Sequence, residues 1–63
     1  MTRKHFVVLA ESLGNLLSRH GLSRKEAEGI ACGVVRDLRS VAPSIIESRF
    51  ISAVIEAYDT ARG

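Results

Sequence analysis

Two histidines and one cysteine, His5, His20 and Cys32, are the side chains of this chain best suited to chemistry. Structural zinc sites gather four ligands at compact spacing, and these three residues show no such spacing. No Ser or Asp is placed to complete a catalytic site around His20, and Cys32 has no partner histidine. We therefore predict no catalytic residue, metal site or cofactor. His20 is interpreted as a residue that caps or packs the end of a helix.

A group of basic residues suggests a second kind of chemistry, nucleic-acid binding. The group consists of Arg19, Arg24, Lys25, Arg36 and Arg39. The short turn at residues 21–23 contains glycine, as helix-turn-helix motifs do. However, the segment after this turn carries Glu28, which would repel phosphate, and Gly29, which reads no base. Nine basic and seven acidic residues give a net charge of only +2. Such a cluster is usually a solvated face, and a DNA-binding regulator is kept as the alternative function.

The length of the chain points to one small domain over residues 1–63. A chain of this size lies near the limit of independent folding, and small scaffolds often compensate by self-association. A single cysteine excludes an internal disulfide and favours a reducing compartment. No apolar run has the length of a membrane span, and Glu11 interrupts the apolar N-terminal stretch. We predict a cytoplasmic protein that does not enter the membrane.

Hydrophobic periodicity predicts three helices, at about 3–20, 24–41 and 45–61, and hence an all-α, compact three-helix bundle. Thr2 is a plausible N-cap for the first helix, and Gly21 supplies a left-handed stop. The apolar face of the first helix consists of Phe6, Leu9, Ala10, Leu13, Leu16 and Leu17.

The second helix is bounded by two local signals. Ser23 and Glu26 form the S-x-x-E pattern of a capping box, and Pro43 ends the helix. Its apolar face consists of Ala27, Ile30, Ala31, Val34, Val35, Leu38 and Val41. Gly29 and Gly33 lie inside this helix, where glycine is unfavourable. They indicate a close crossing, either with a helix of the same chain or with another chain.

The third helix is the most apolar around its circumference, since its apolar positions span roughly 200° of a helical wheel. These positions are Ile46, Phe50, Ile51, Ala53, Val54, Ile55, Ala57, Tyr58 and Ala61. One explanation is a central helix packed between the other two. The other is an interface with a second copy or a partner, because large exposed apolar patches are rare on monomers.

Both ends of the sequence resemble a group of small bacteriophage and prophage proteins. These proteins begin T-R-K-H-F/Y-x-x-L-A, and residues 2–6 read TRKHF and are followed by Leu9-Ala10-Glu11. They end near N-P-x-F-D-x-x-R-F, and residues 42–50 read APSIIESRF, with Ile46 in place of the acidic helix cap. That replacement moves the predicted cap to Ser44, three residues before Glu47. The resemblance implies a phage or prophage origin and no functional residue.

Together these features predict a non-enzymatic, phage-encoded interaction protein, homodimeric and acting in the host cytoplasm. It would bind and inhibit a host protein through an apolar helix face. The predicted anchors are Ile51, Val54, Ile55 and Tyr58, with Arg49 on the polar side of the same helix. Phe6 and Phe50 are predicted to be core aromatics that join the first and third helices.

Overall fold

The computed structural model describes residues 3–63 and contains three α-helices: α1 (Arg3–Arg19), α2 (Arg24–Val41) and α3 (Glu47–Arg62). The predicted three-helix bundle is therefore confirmed, and every predicted helix end lies within two residues of the observed one. Thr2, the predicted N-cap of α1, lies outside the described residues.

The turn between α1 and α2 is built as the local signals predict. Gly21 has a φ of +71°, the left-handed conformation that ends a helix, and the Leu22 N–H donates to the Leu17 carbonyl over 3.3 Å. Ser23 and Glu26 form a complete capping box: the Ser23 N–H donates to Glu26 Oε1 over 2.9 Å, and the Glu26 N–H donates to Ser23 Oγ over 3.2 Å. The Ser23 backbone donor and its hydroxyl lower the pKa of Glu26 below its ordinary value.

The start of α3 differs from the prediction. Ser44 does not cap this helix; Ile46 is the N-cap, in an extended conformation and without a side-chain hydrogen bond. The reason is tertiary: Ile45 is buried in the core, and its N–H donates to the Ala42 carbonyl over 3.1 Å in a turn that follows α2. The first helical residue is therefore Glu47, and Ser44 lies in the turn before it.

Helix α3 is the central helix of the bundle. It packs against both α1 and α2, which contact each other far less than each contacts α3. The core consists of Ala10, Leu17, Ala27, Ala31, Val35, Ile45, Phe50, Val54, Ile55 and Tyr58. The rings of Phe6 and Phe50 meet edge to face, with centroids 5.4 Å apart at 68°. This contact confirms the prediction that the two aromatics join α1 to α3.

The closest helix approach of the bundle is at Gly14 of α1. A Cβ atom at this position would lie 2.7 Å from the Ala57 Cβ and 2.9 Å from the Tyr58 backbone nitrogen, and closer still to the Val54 carbonyl oxygen. Only glycine lets α1 come this near to α3. The long contact between these two helices therefore depends on a residue without a side chain.

Candidate interaction surface

The residues predicted as partner anchors on α3 lie in the core. Val54 and Tyr58 are fully buried, Ile55 is 8% exposed, and Ile51 is half-buried against the core. The expectation that two neighbouring helices leave these side chains exposed is therefore wrong. Because α3 lies between α1 and α2, its wide apolar arc is what a central helix needs. The simpler of the two explanations for this arc is the correct one.

The polar tip of Tyr58 is also satisfied inside the chain. Its hydroxyl donates to the Leu22 carbonyl in the α1–α2 turn and accepts from Arg62 Nη1 over 2.6 Å. The Arg62 guanidinium lies 5.4 Å from the centroid of the same ring. Tyr58 thus ties α3 to the first turn and has no free group for a partner. Arg49 is exposed and forms no ion pair with another residue of the described range.

Large apolar side chains are exposed mainly on α1 and α2. The exposed residues are Val7, Val8, Leu9, Leu16, Ile30, Val41 and Ile46, and Val8, Leu16 and Val41 are 54%, 47% and 79% exposed. Leu9, Leu16, Ile30 and Val41 were predicted to face the core. The excess of apolar surface therefore exists, but on the two outer helices.

The exposed residues of α1 can be placed relative to α3 by helix geometry. One residue turns a helix by about 100°, so Leu9 and Leu16 lie about 100° to one side of the buried Ala10–Leu17 line. Val7 and Glu11 lie to the other side, where they line a groove with α3 residues Ala53 and Ala57. Leu9 and Leu16 therefore point towards α2, and Val8 points away from α3.

The same reasoning places the exposed residues of α2. Arg24 and Glu28 line a groove with Ile51 and Ile55 of α3. Ile30 and Val41 lie about 90° to the opposite side of the buried α2 residues, towards α1. Val8, Leu9, Leu16, Ile30 and Val41 thus share the side of the α1–α2 pair that faces away from α3. We call this surface the α1–α2 face.

Charged side chains on the α1–α2 face are divided between its two helices. By the same register, Arg19 lies on the α1 part of the face, and Glu26 and Asp37 lie on the α2 part. Arg19 is the last residue of α1 and Glu26 is in the first turn of α2, so both are at the end of the face next to the turn. The face is therefore apolar along its middle, basic on one side and acidic on the other.

The predicted basic cluster is not brought together on one surface. Arg24 pairs with Asp59 over 3.4 Å and lies 3.8 Å from Glu28, and Arg39 pairs with Glu47 over 3.4 Å. By register, Lys25 and Arg36 lie on the outer side of α2, whereas Arg19 lies on the other helix. Acidic partners compensate two of the five charges, and the others point in different directions.

The remaining residues of chemical interest show no site. His20 is exposed in the turn after α1, and Cys32 is half-buried on α2. Within residues 3–63, His, Cys, Asp and Glu side chains form no group of three able to hold a metal ion. In the same range, no helix has both the length and the hydropathy needed to cross a bilayer.

Gly29 and Gly33 do not serve an internal helix crossing. A Cβ atom at either position would meet nothing within 4 Å. The prediction of a crossing within the chain is therefore wrong for these two residues, and the alternative, contact with another chain, stays a prediction. The internal crossing is at Gly14.

No protein-family model, curated protein or solved structure matches the chain. A function therefore has to be inferred from the α1–α2 face itself.

A sequence signal for the α1–α2 face exists, although it was assigned to the core. The apolar arcs of α1 and α2 are roughly 120° and 140° wide on a helical wheel. An outer helix that packs on a single central helix buries a narrower stripe than this. The side chains at the edge of each arc, Leu9 and Leu16 on α1 and Ile30 and Val41 on α2, are the ones left exposed.

Proposed function

We propose that this chain is a small non-enzymatic interaction protein, encoded by a phage or prophage, that binds and inhibits a host protein in the bacterial cytoplasm. The binding surface is the α1–α2 face and not the side chains of α3. The resemblance of residues 2–10 and 42–50 to small phage proteins supports the origin. The exposed apolar side chains of α1 and α2 support the binding role.

One observation carries this proposal: five large apolar side chains are exposed on one side of two adjacent helices. Scattered apolar residues are normal on a protein surface, whereas a contiguous patch of several hundred Å² marks a binding site. Two parallel rows, Leu9 and Leu16 on α1 and Ile30 and Val41 on α2, match the spacing at which an apolar helix docks into a groove. A helix of a host protein is therefore the partner that this face fits.

The test compares three versions of the purified chain as bait in lysate of the bacterial host. Leu16→Glu places a charge in the middle of the α1–α2 face. Val7→Glu is the matched control, because Val7 is on the same helix and 38% exposed but lies on the α3 side. We expect a host protein that the wild type and Val7→Glu retain and Leu16→Glu loses. The retained protein is then identified, purified and titrated against the same three variants.

Salt dependence separates this function from the alternative, a DNA-binding regulator. An apolar interface keeps its affinity when salt rises from about 0.1 M to about 0.5 M, whereas phosphate contacts weaken steeply. Binding that Leu16→Glu leaves unchanged would contradict the proposed surface. Salt-sensitive DNA binding that Lys25→Ala and Arg36→Ala weaken would support the regulator instead.

A further inference from the structure

We infer that the α1–α2 face is covered in the free protein by a second copy of the same chain, with α1 of each copy packed on α2 of the other. This inference rests on the proposed function only in taking the same face as the binding surface. A host protein would then displace the second copy, so that pairing and host binding compete.

The geometry of the face allows a two-fold symmetric pair of this kind. Helices α1 and α2 are joined by the short turn at residues 20–23, so they run antiparallel side by side. A two-fold axis along the groove between them places each α1 against the partner's α2, again antiparallel and at the same level along the axis. The same patch is then used by both copies, which is the commonest form of homodimer interface. The result is a layer of four helices between the two α3 helices.

The charges of the face are complementary in this arrangement and in no simple alternative. Arg19 of one copy meets Glu26 of the other at the turn end, and the axis produces this pair twice. At the far end, Asp37 of α2 meets the first turn of the partner's α1, which carries His5. An axis across the groove would instead place α1 on α1, basic side on basic side, and α2 on α2. Charge therefore selects the pairing of α1 with α2.

Size and packing agree with a reversible pair. The molecule measures 30 × 20 × 16 Å, so a face two helices wide offers about 500 Å² per copy. Two copies bury about 1,000 Å², the lower limit of a specific interface, and we expect a pair that exchanges readily. Gly33 lies on the α2 part of the face with open space above it, and Ser12 lies at the middle of the α1 part. Two small residues at these positions let helices from different copies come close.

A charge exchange followed by sedimentation equilibrium tests the pairing. Arg19→Glu creates two acidic pairs in a homodimer, and Glu26→Arg creates two basic pairs. We expect each variant alone to dimerise at least about tenfold more weakly than the wild type. An equimolar mixture of the two should recover dimers, because every Arg–Glu pair is then restored across the interface. Recovery also shows that both variants are folded; Glu26→Gln, which keeps the capping box, removes the charge without losing the cap.

Leu16→Glu should abolish the pair and Val7→Glu should leave it intact. A wild type that stays monomeric at about 1 mM, well above the micromolar range of typical weak pairs, would overturn the inference. So would a mixture that dimerises no better than its two components. The proposed function fails differently: if no host protein depends on Leu16 while the charge exchange behaves as expected, the chain pairs with itself and the host partner is absent.

Discussion

Replacing Gly14 by alanine tests the packing that makes α3 the central helix. The new Cβ would lie 2.7 Å from the Ala57 Cβ, whereas carbon atoms in contact are normally separated by about 3.5 Å or more. Helices α1 and α3 would have to separate by roughly 0.8 Å, because the other close atoms belong to the α3 backbone and cannot move independently. Overpacking of this kind costs about 1–3 kcal/mol, and backbone contacts place this site near the upper limit. Alanine returns about 1 kcal/mol of helix propensity, so the expected net loss is about 2 kcal/mol.

Gly29→Ala is the matched control, since it makes the same chemical change inside a helix where the new Cβ meets nothing within 4 Å. Here only the helix propensity changes, and we expect a gain of about 0.5–1 kcal/mol. Urea unfolding followed by circular dichroism, at a concentration where monomers predominate, gives both values. In thermal unfolding, the loss at Gly14 corresponds to a melting temperature lower by about 8–16 °C. If Gly14→Ala stabilises the chain as Gly29→Ala does, the close approach of α1 and α3 does not exist.

Three further predictions concern the ends of the helices. Ile46→Asp should stabilise the chain by about 1 kcal/mol in urea unfolding, because Ile46 occupies the N-cap of α3 without a side-chain hydrogen bond; a value equal to that of Ile46→Ala would argue against this cap. Tyr58→Phe should cost about 1 kcal/mol, since it leaves the Leu22 carbonyl without its donor, and an unchanged stability would show that the hydroxyl bond is not formed. Folding lowers the pKa of Glu26, so its carboxylate contributes stability above the ordinary carboxyl pKa of 4.5 and loses this contribution as pH falls through the folded pKa. The stability difference between the wild type and Glu26→Gln should therefore shrink as pH falls from neutral to below that value, and a difference independent of pH would contradict the capping box.

The features of the fold that could be predicted depend on neighbouring residues in the sequence. Gly21 ends α1, and the pair Ser23 and Glu26 starts α2, because caps and left-handed turns are local interactions. The start of α3 could not be predicted in this way. The Ser44 pattern is locally sound, but burial of Ile45 holds the chain extended until Ile46. Tertiary packing decided between two acceptable helix starts.

The roles of the three mid-helix glycines show why the surface was misassigned. In the sequence, Gly29 and Gly33 form a regular pair and attract attention, whereas Gly14 stands alone. In the structure, Gly14 makes the close crossing and the other two lie open. Only the identity of the central helix distinguishes these cases, and that identity is a property of the whole arrangement. Once α3 is central, its apolar arc is covered and the edges of the outer helices are exposed.

The binding face can be located most directly by nuclear magnetic resonance of the backbone amides during dilution of the purified protein. The account predicts that amide signals from the exposed parts of α1 and α2, around Leu9, Leu16 and Ile30, shift as pairs dissociate. Signals from the outer side of α3, around Ser52 and Glu56, should stay constant and serve as the internal reference. Shifts confined to α3, or spectra independent of concentration up to the millimolar range, would contradict the assignment of the α1–α2 face as the surface that the protein uses.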